Sequence, residues 1–377
     1  MTPAPVPSTP WLLRWQGLLA GGQPGVLSNR LPLLAGLVLC ALMAGLPLVT
    51  RGGLSLLILA SGLLWLLWAL RTPAGSIRPI SAWLLAMLAG AVLATRFSPL
   101  PMAALKGLMK LLSYLGVYAL MRQLLEAAPQ WWNRIVAALL AGELASAVIA
   151  IRQLYGDTGE LARWADPNSV ADGTVRVYGP LENPNLLAGY LLPILPIALV
   201  ALLRWRTWPQ RLFAAAALAL GAAALFLSYS RGGWLGMLAA LGGLGLLLVL
   251  RQTRSWPPLW RRLFPVLLIA AGVALLVVAV TQIEPLRIRV MSLVAGRQDS
   301  SNNFRINVWL AVIEMIQDRP WLGIGPGNSA FNLIYPLYQQ PKFNALSAYS
   351  VPLELLVEGG VPNLIAGLGL LLASLRT

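Results

Sequence analysis

The stretch Leu227-Ser-Tyr-Ser-Arg-Gly-Gly-Trp-Leu-Gly236 lies where two apolar runs, 212–229 and 233–250, meet. Each run is close to the roughly 20 residues that a helix needs to cross a ~30 Å hydrocarbon core. A turn between two such runs must lie at a membrane surface. The stretch therefore predicts two membrane-spanning helices, with the permanent positive charge of Arg231 at the surface between them.

Similar apolar runs recur along the whole chain. Of its 377 residues, 58% are hydrophobic and only 11% are charged, whereas soluble domains carry about 25% charged residues. The runs are rich in Leu, Ala, Gly and Val and lack the alternation of barrel strands, so we predict an all-α, polytopic helical membrane protein with about ten transmembrane helices. Windows of membrane length place these helices at 31–50, 53–70, 79–95, 103–121, 135–151, 185–203, 212–229, 233–250, 263–281 and 352–375.

Lys and Arg in short connections predict the orientation. Nearly all the basic residues of the short loops fall on alternate connections, against the one carboxylate of Glu126. This side is predicted to be cytoplasmic, which places the N-terminus inside an inner (plasma) membrane. The connections 152–184 and 282–351 then become long periplasmic loops. We divide the chain into a cytoplasmic or interfacial segment, 1–30, and one membrane domain, 31–377.

The net charge of +15 fits this topology and contact with anionic lipid headgroups of the bilayer. No basic soluble domain exists to carry nucleic-acid binding, so no nucleic-acid partner is predicted. The chain has no histidine and one cysteine, Cys40. We therefore predict neither a metal site nor another cofactor.

Two arginines on the outer side are candidate substrate-binding residues. Arg231 is followed by Gly232 and Gly233, so a bound anion could approach both its guanidinium and the backbone. Residues 303–317 read as an amphipathic helix in the second periplasmic loop, with Arg305 at the edge of its apolar stripe. Docking of this stripe would bring Arg305 toward Arg231 over a shared cavity. The alternative is that Arg231 snorkels to lipid phosphate.

Two lysines lie inside the fourth predicted span. Lys106 and Lys110 share one helix face, and an intramembrane charge usually faces a cavity or a partner. One interpretation is that they line an anion site beneath Arg231. The other is that Lys110 forms a structural ion pair with Glu143 of the fifth span. The segment Gly323-Ile-Gly-Pro-Gly327 is interpreted as a turn with exposed amides, because it lacks the strand and helix of a dinucleotide site.

Several motifs together resemble the O-antigen ligase and polymerase superfamily over about residues 100–370. Within it, Glu182-Asn-Pro-Asn185 and Leu346-Ser-Ala-Tyr-Ser-Val-Pro-Leu-Glu354 look most like the cyanobacterial IctB group, which is named for bicarbonate transport. The motifs that carry the wider resemblance are Arg176-Val-Tyr-Gly-Pro-Leu-Glu-Asn-Pro-Asn-Leu-Leu-Ala-Gly-Tyr190, Ser230-Arg-Gly-Gly-Trp-Leu-Gly236, Arg305 with Trp309, Pro320-Trp-Leu-Gly-Ile-Gly325 and Glu354-Leu-Leu-Val-Glu-Gly359.

For the ligase branch, the resemblance implies glycan transfer from undecaprenyl pyrophosphate at the periplasmic face, without metal or nucleotide. The two essential arginines of that branch fall on Arg231 and Arg305. Ligases carry Ala-His-Asn where this chain has Ala348-Tyr-Ser350, so Tyr349 replaces the family histidine. A phenol is a far weaker base than an imidazole at neutral pH, which leaves enzyme activity open. Members usually continue through further spans, so a C-terminally truncated form is expected.

Three functions therefore stand as alternatives. The chain could bind or transport an anion, either a polyprenyl-pyrophosphate-linked glycan or bicarbonate in inorganic carbon accumulation. It could be a glycan ligase or polymerase, or a non-catalytic accessory membrane protein. The cytoplasmic halves of spans six to nine hold few polar residues, which weighs against bicarbonate passage because a transporter needs a polar path. Surface chemistry needs no such path.

Overall fold

A computed structural model describes residues 26–71, 78–156, 176–282 and 296–376, together with several residues between 283 and 295. The predicted interfacial segment up to residue 25 and most of the first periplasmic loop lie outside the described residues. In chain order the helices are α1 (Val26–Gly45), α2 (Arg51–Ala69), α3 (Pro79–Arg96), α4 (Pro101–Ala127), α5 (Trp131–Arg152), α6 (Pro184–Arg204), α7 (Trp208–Leu227), α8 (Arg231–Gln252), α9 (Pro258–Gln282), α10 (Ser300–Asp318), α11 (Asn328–Ile334) and α12 (Val351–Arg376).

The all-α class is confirmed, since the described part of the chain contains helices and no strand. Eight helices in that part, α2 to α8 and α12, are long and apolar enough to cross a membrane. The first and ninth predicted spans also coincide with helices, α1 and α9. Many large apolar side chains are exposed along these helices, such as Leu56 at 68% and Leu247 at 65%. Such outward apolar faces suit lipid rather than water.

Local sequence explains where several helices begin. Proline occupies the first turn of α3, α4 and α6, where its missing N–H leaves no helical bond unmade. The Asn183 side chain caps α6 by accepting from the backbone N–H groups of Asn185 and Leu186. The Ser230 hydroxyl caps α8 by accepting from the N–H of Gly233. Arg231 therefore follows directly after the N-cap residue of a helix.

The chain divides into two compact units. Unit 1 contains the described parts of Met1–Leu42, Arg51–Trp132 and Phe304–Thr377. Within it, α4 packs against α2, α3 and α11, and α3 packs against α12. The segment after α10 forms its own apolar core with that helix and the start of α12. This core is built from buried residues that include Val308, Val312, Phe331, Tyr335 and Val357.

Unit 2 contains the described parts of Met43–Thr50 and Asn133–Asn303. Helix α6 packs against α7 and α8, around a core that includes Leu187, Leu191, Leu195 and Leu225. Glu143 of α5 is fully buried, and a Cβ at Gly221 of α7 would collide with its carboxylate. Neither carboxylate oxygen has a hydrogen-bond partner among the described residues.

Candidate functional site

Arg231 is the first residue of α8 and is largely buried. Its Nη2 donates to Oδ1 of Asp299 at 2.9 Å, and the two side chains are only 11% and 0% exposed. No local sequence pattern predicts this partner, because Asp299 lies 68 residues away from Arg231. A bound anion would therefore meet a guanidinium whose charge is already balanced by a buried carboxylate.

Asp299 also holds the start of α10. Its Oδ1 accepts from the backbone N–H of Asn302 at 3.0 Å, and its backbone carbonyl accepts from the N–H of Asn303 at 2.9 Å. These bonds satisfy donors that the first turn of a helix leaves unpaired. One carboxylate therefore joins the first residue of α8 to the first turn of α10.

A second arginine supports the turn before α8. The Nε of Arg176 donates to the Ser228 carbonyl at 2.9 Å, and its Nη2 donates to Oδ1 of Asn185 at 3.1 Å. The Ser230 hydroxyl donates to the same Asn185 oxygen at 3.0 Å. Three residues of the quoted motifs thus position the backbone that presents Arg231. The sequence signal for these three residues was that they occur together in the quoted motifs. Their contacts with one another could not be predicted from the sequence.

Helix α10 packs against the turn that carries Tyr349, within unit 1. Helix α10 covers the predicted amphipathic segment, and the indole Nε1 of Trp309 donates to the Ala348 carbonyl at 3.0 Å. The Phe304 ring meets the Tyr349 ring edge-on at 5.7 Å. Arg305 follows Phe304 directly and lies one helical turn before Trp309 in α10, so two of its neighbours in the helix contact residues 348–349.

Tyr349 adopts a left-handed backbone conformation, with φ of 50°. This conformation is uncommon for a residue other than glycine and is often found at functional sites. Its side chain is 44% exposed. Tyr349 is thus held on the surface of unit 1.

The two lysines of α4 differ in their surroundings. Both are exposed, but Lys110 lies over the Tyr114 ring at 5.9 Å and interacts electrostatically with Glu354 and Glu358 of α12. The alternative pairing of Lys110 with Glu143, which lies in unit 2, stays a prediction. The two glutamates were missed as partners, although their i, i+4 spacing places them on one helix face.

Helix α12 is broken beside these carboxylates, where a single continuous span was predicted. Gly360 has φ of 68° and ψ of −167°, outside the helical region. The loop before α11 forms hydrogen bonds with the backbone groups of α12 that the break leaves without helical partners. The N–H groups of Ile324 and Gly325 donate to the carbonyls of Val357 and Glu358 at 2.8 and 3.0 Å. The N–H of Val361 donates to the Pro320 carbonyl at 2.9 Å.

The glycine-rich loop is therefore a structural partner of α12. Besides the Ile324 and Gly325 bonds, the backbone of Gly327 interacts electrostatically with the Glu358 carboxylate. On its other side the loop touches α4, where a Cβ at Gly107 would collide with the Pro326 carbonyl. The N–H groups of Ile324 and Gly325 thus bind the protein's own helix rather than standing exposed. Lys110, Glu358 and the loop thus form one cluster.

Lys110→Met is expected to lower the free energy of unfolding by about 0.5–1 kcal/mol, because Glu354 and Glu358 then repel each other without a nearby cation. Lys106→Met is the matched control, since Lys106 is equally exposed one turn away, and a change of only a few tenths of a kcal/mol is expected. Thermal unfolding in detergent at neutral pH measures both. In the Lys110→Met background, Glu354→Gln is expected to restore stability. Equal losses for the two lysine variants would contradict this account.

The predicted site residues thus fall into two groups. Arg231 lies in unit 2, whereas Arg305, Tyr349, Lys106 and Lys110 lie in unit 1. A shared cavity for both arginines stays a prediction.

Comparison with known proteins agrees with the resemblance at the level of the superfamily. Residues 214–367 match the family model described as O-antigen ligase. Arg231, Arg305 and Tyr349 all fall within the matched segment. A search of curated proteins found no match. The matched segment and the membrane-length helices together support an O-antigen ligase-like membrane protein.

Proposed function

We propose that this protein binds a polyprenyl-pyrophosphate-linked glycan at the outer face of an inner membrane and takes part in its transfer. The observation that carries this proposal is the match of residues 214–367 to O-antigen ligase, since it includes Arg231 and Arg305. The proposed orientation has the N-terminus in the cytoplasm, with Arg231 and Arg305 on the opposite side.

The chemistry of the two arginines suits a pyrophosphate. A guanidinium stays charged at physiological pH and offers a planar fork to phosphate oxygens. In glycan transfer, an acceptor hydroxyl oxygen bonds to the anomeric carbon while the bond from that carbon to the pyrophosphate oxygen breaks. The electron pair leaves on the pyrophosphate, where nearby cations stabilise the developing charge. Arg305, together with Arg231 in its ion pair with Asp299, is proposed to supply this stabilisation.

The acceptor hydroxyl must also lose its proton to a base. The chain has no histidine, and Tyr349 stands where the family histidine is expected. Donor binding does not require this base. A binding measurement therefore tests the proposal without assuming turnover, and a non-catalytic accessory role would share the same bound lipid.

Inorganic carbon accumulation is the second candidate, suggested by the resemblance to the IctB group. Part of that resemblance rests on residues 182–185, where Asn183 caps α6 and Asn185 accepts from Arg176 and Ser230. These contacts give the segment a structural role that requires no bicarbonate. The glycan proposal is therefore favoured, and bicarbonate is tested as the alternative.

The test is native mass spectrometry of the purified protein with a polyprenyl-pyrophosphate-linked oligosaccharide. Arg231→Lys and Arg305→Lys keep the charge but lose the planar fork, so each is expected to weaken binding at least tenfold, about 1.4 kcal/mol. Arg152→Lys, an exposed arginine at the end of α5, is the matched control and should bind as wild type does.

Two outcomes would overturn the proposal. If wild type does not bind the donor, the glycan assignment fails, and flux of labelled bicarbonate into proteoliposomes tests the second candidate. If wild type binds but both lysine variants bind equally well, the lipid is held elsewhere and the arginines are not its ligands.

A further inference from the structure

A cavity of about 640 Å³ lies within unit 1. It is formed by α2, α3 and α4, because α2 and α3 both pack on α4. Gly116 of α4 closely approaches Gly62 of α2, where a Cβ would lie 3.3 Å from the Gly62 Cα. The close crossing brings α2 tightly onto one side of α4. The cavity volume lies within the range of about 300–1,000 Å³ that is usual for ligand pockets. We call it the α2–α4 groove.

Most of the groove wall is apolar. It includes Trp65 from α2, Leu84 and Leu88 from α3, and Leu112 and Leu115 from α4. These residues come from three helices that have the length and composition to cross a membrane. A wall of this kind accommodates a hydrocarbon chain and offers few partners to a water-soluble ligand.

One end of the groove is polar and hydrogen-bonded. Nη1 of Arg122 donates to the Ser81 hydroxyl at 2.8 Å, and Ser81 in turn lies 3.0 Å from the Tyr118 hydroxyl. The Nε of Arg122 donates to Oε1 of Glu126 at 3.0 Å. Arg78 pairs with the same Glu126 oxygen at 3.1 Å. Side chains from α3 and α4 are thus linked to each other around a polar groove end.

The charge at this end is positive. Glu126 is shared by Arg78 and Arg122, so one carboxylate faces two guanidinium groups. Arg71 adds another positive charge two residues beyond Ala69, which lines the groove. The Arg78 side chain is 66% exposed, so it can reorient toward a ligand. This end of the groove favours an anionic headgroup over a zwitterionic one.

The length of the groove matches one leaflet of a bilayer. From Leu112 to Glu126, α4 rises by about 21 Å at 1.5 Å per residue. Half of a ~30 Å hydrocarbon core is about 15 Å, and one headgroup layer adds roughly 5–7 Å. The polar end lies about 24 Å along α4 from Lys106, counted from residue 106 to residue 122. The groove therefore belongs to the leaflet opposite Lys106.

We propose that the α2–α4 groove is a binding site for one anionic phospholipid. Its acyl chain lies along the wall formed by Trp65, Leu88 and Leu112, and its phosphate is bound by Arg78 and Arg122. The site is separate from the proposed glycan site and does not depend on it.

The experiment is native mass spectrometry of the full chain, delipidated and titrated with phosphatidylglycerol or phosphatidylcholine of the same acyl chains. Wild type is expected to bind phosphatidylglycerol at least tenfold more tightly than phosphatidylcholine. The double variant Arg78→Gln/Arg122→Gln should lose this preference. Ala119→Phe fills the groove wall and should weaken binding of both lipids. Arg204→Gln, an exposed arginine at the end of α6, is the control and should behave as wild type.

Three results would overturn the proposal. They are equal binding of the two lipids by wild type, unchanged phosphatidylglycerol binding in the double variant, and a double variant that weakens binding of a polyprenyl phosphate more than binding of phosphatidylglycerol. Melting temperatures of all variants are measured alongside. If Ala119→Phe does not fold, the double variant alone decides the question. The double variant is expected to fold, because Arg78 is exposed and the Glu126 carboxylate needs no cation once it faces water.

Discussion

Replacement of Arg231 by alanine is expected to lower the free energy of unfolding by about 3–5 kcal/mol, the usual loss when one member of a buried ion pair is removed. The variant leaves the fully buried Asp299 carboxylate without its cation. Thermal unfolding of the purified protein in detergent, followed by circular dichroism, measures the loss. Arg152→Ala, an exposed arginine outside this pair, should change stability by less than about 0.5 kcal/mol.

The double variant Arg231→Ala/Asp299→Ala separates charge from packing. It removes the unpaired charge, so most of the stability should return, with a remaining loss of about 1 kcal/mol for the missing helix cap of α10. If the single and double variants are equally unstable, the ion pair is not the source of the loss. This result also decides how ligand binding is tested, because an unstable alanine variant would lose binding for a structural reason. Arg231→Lys avoids that ambiguity.

Replacement of Gly360 by alanine is expected to be similarly damaging, by about 3–5 kcal/mol. The backbone conformation of Gly360 is nearly exclusive to glycine and carries about 1–3 kcal/mol of strain for other residues. A Cβ there would also collide with the Trp321 carbonyl. Moving that carbonyl disturbs the bonds from Ile324 and Gly325 to α12, each worth about 0.5–1.5 kcal/mol.

The matched control is Gly62→Ala in α2. Gly62 is helical, and a Cβ at this position would meet no atom within 4 Å, so alanine should be neutral or stabilising by up to about 1 kcal/mol. Melting temperatures of both variants in the same detergent test the difference. Equal melting temperatures would mean that α12 tolerates a continuous helix and that the break at Gly360 is not required.

Part of the candidate site was predictable as structure, since α10 covers the segment that was read as an amphipathic helix. The roles of Arg231, Arg305 and Tyr349, which come from motifs, stay predictions. The neighbours of these residues were not predictable. The Trp309 bond to Ala348 joins residues 39 apart in the chain, and no local pattern records such a pairing. The glycine-rich segment was correctly predicted to be a turn. The acceptors of its backbone N–H groups could not be predicted, because they depend on a break in α12 that hydropathy does not reveal.

Hydropathy was enough to predict the all-α class and the helical spans. It suffices because a bilayer requires each spanning segment to satisfy its own backbone and to present apolar side chains over a set length. Both requirements are local and can be read along the chain. The partners of Arg231 and Lys110, the broken helix and the α2–α4 groove depend instead on how helices pack. Packing joins residues such as Arg231 and Asp299, 68 positions apart, and their attraction arises only when folding removes both from water.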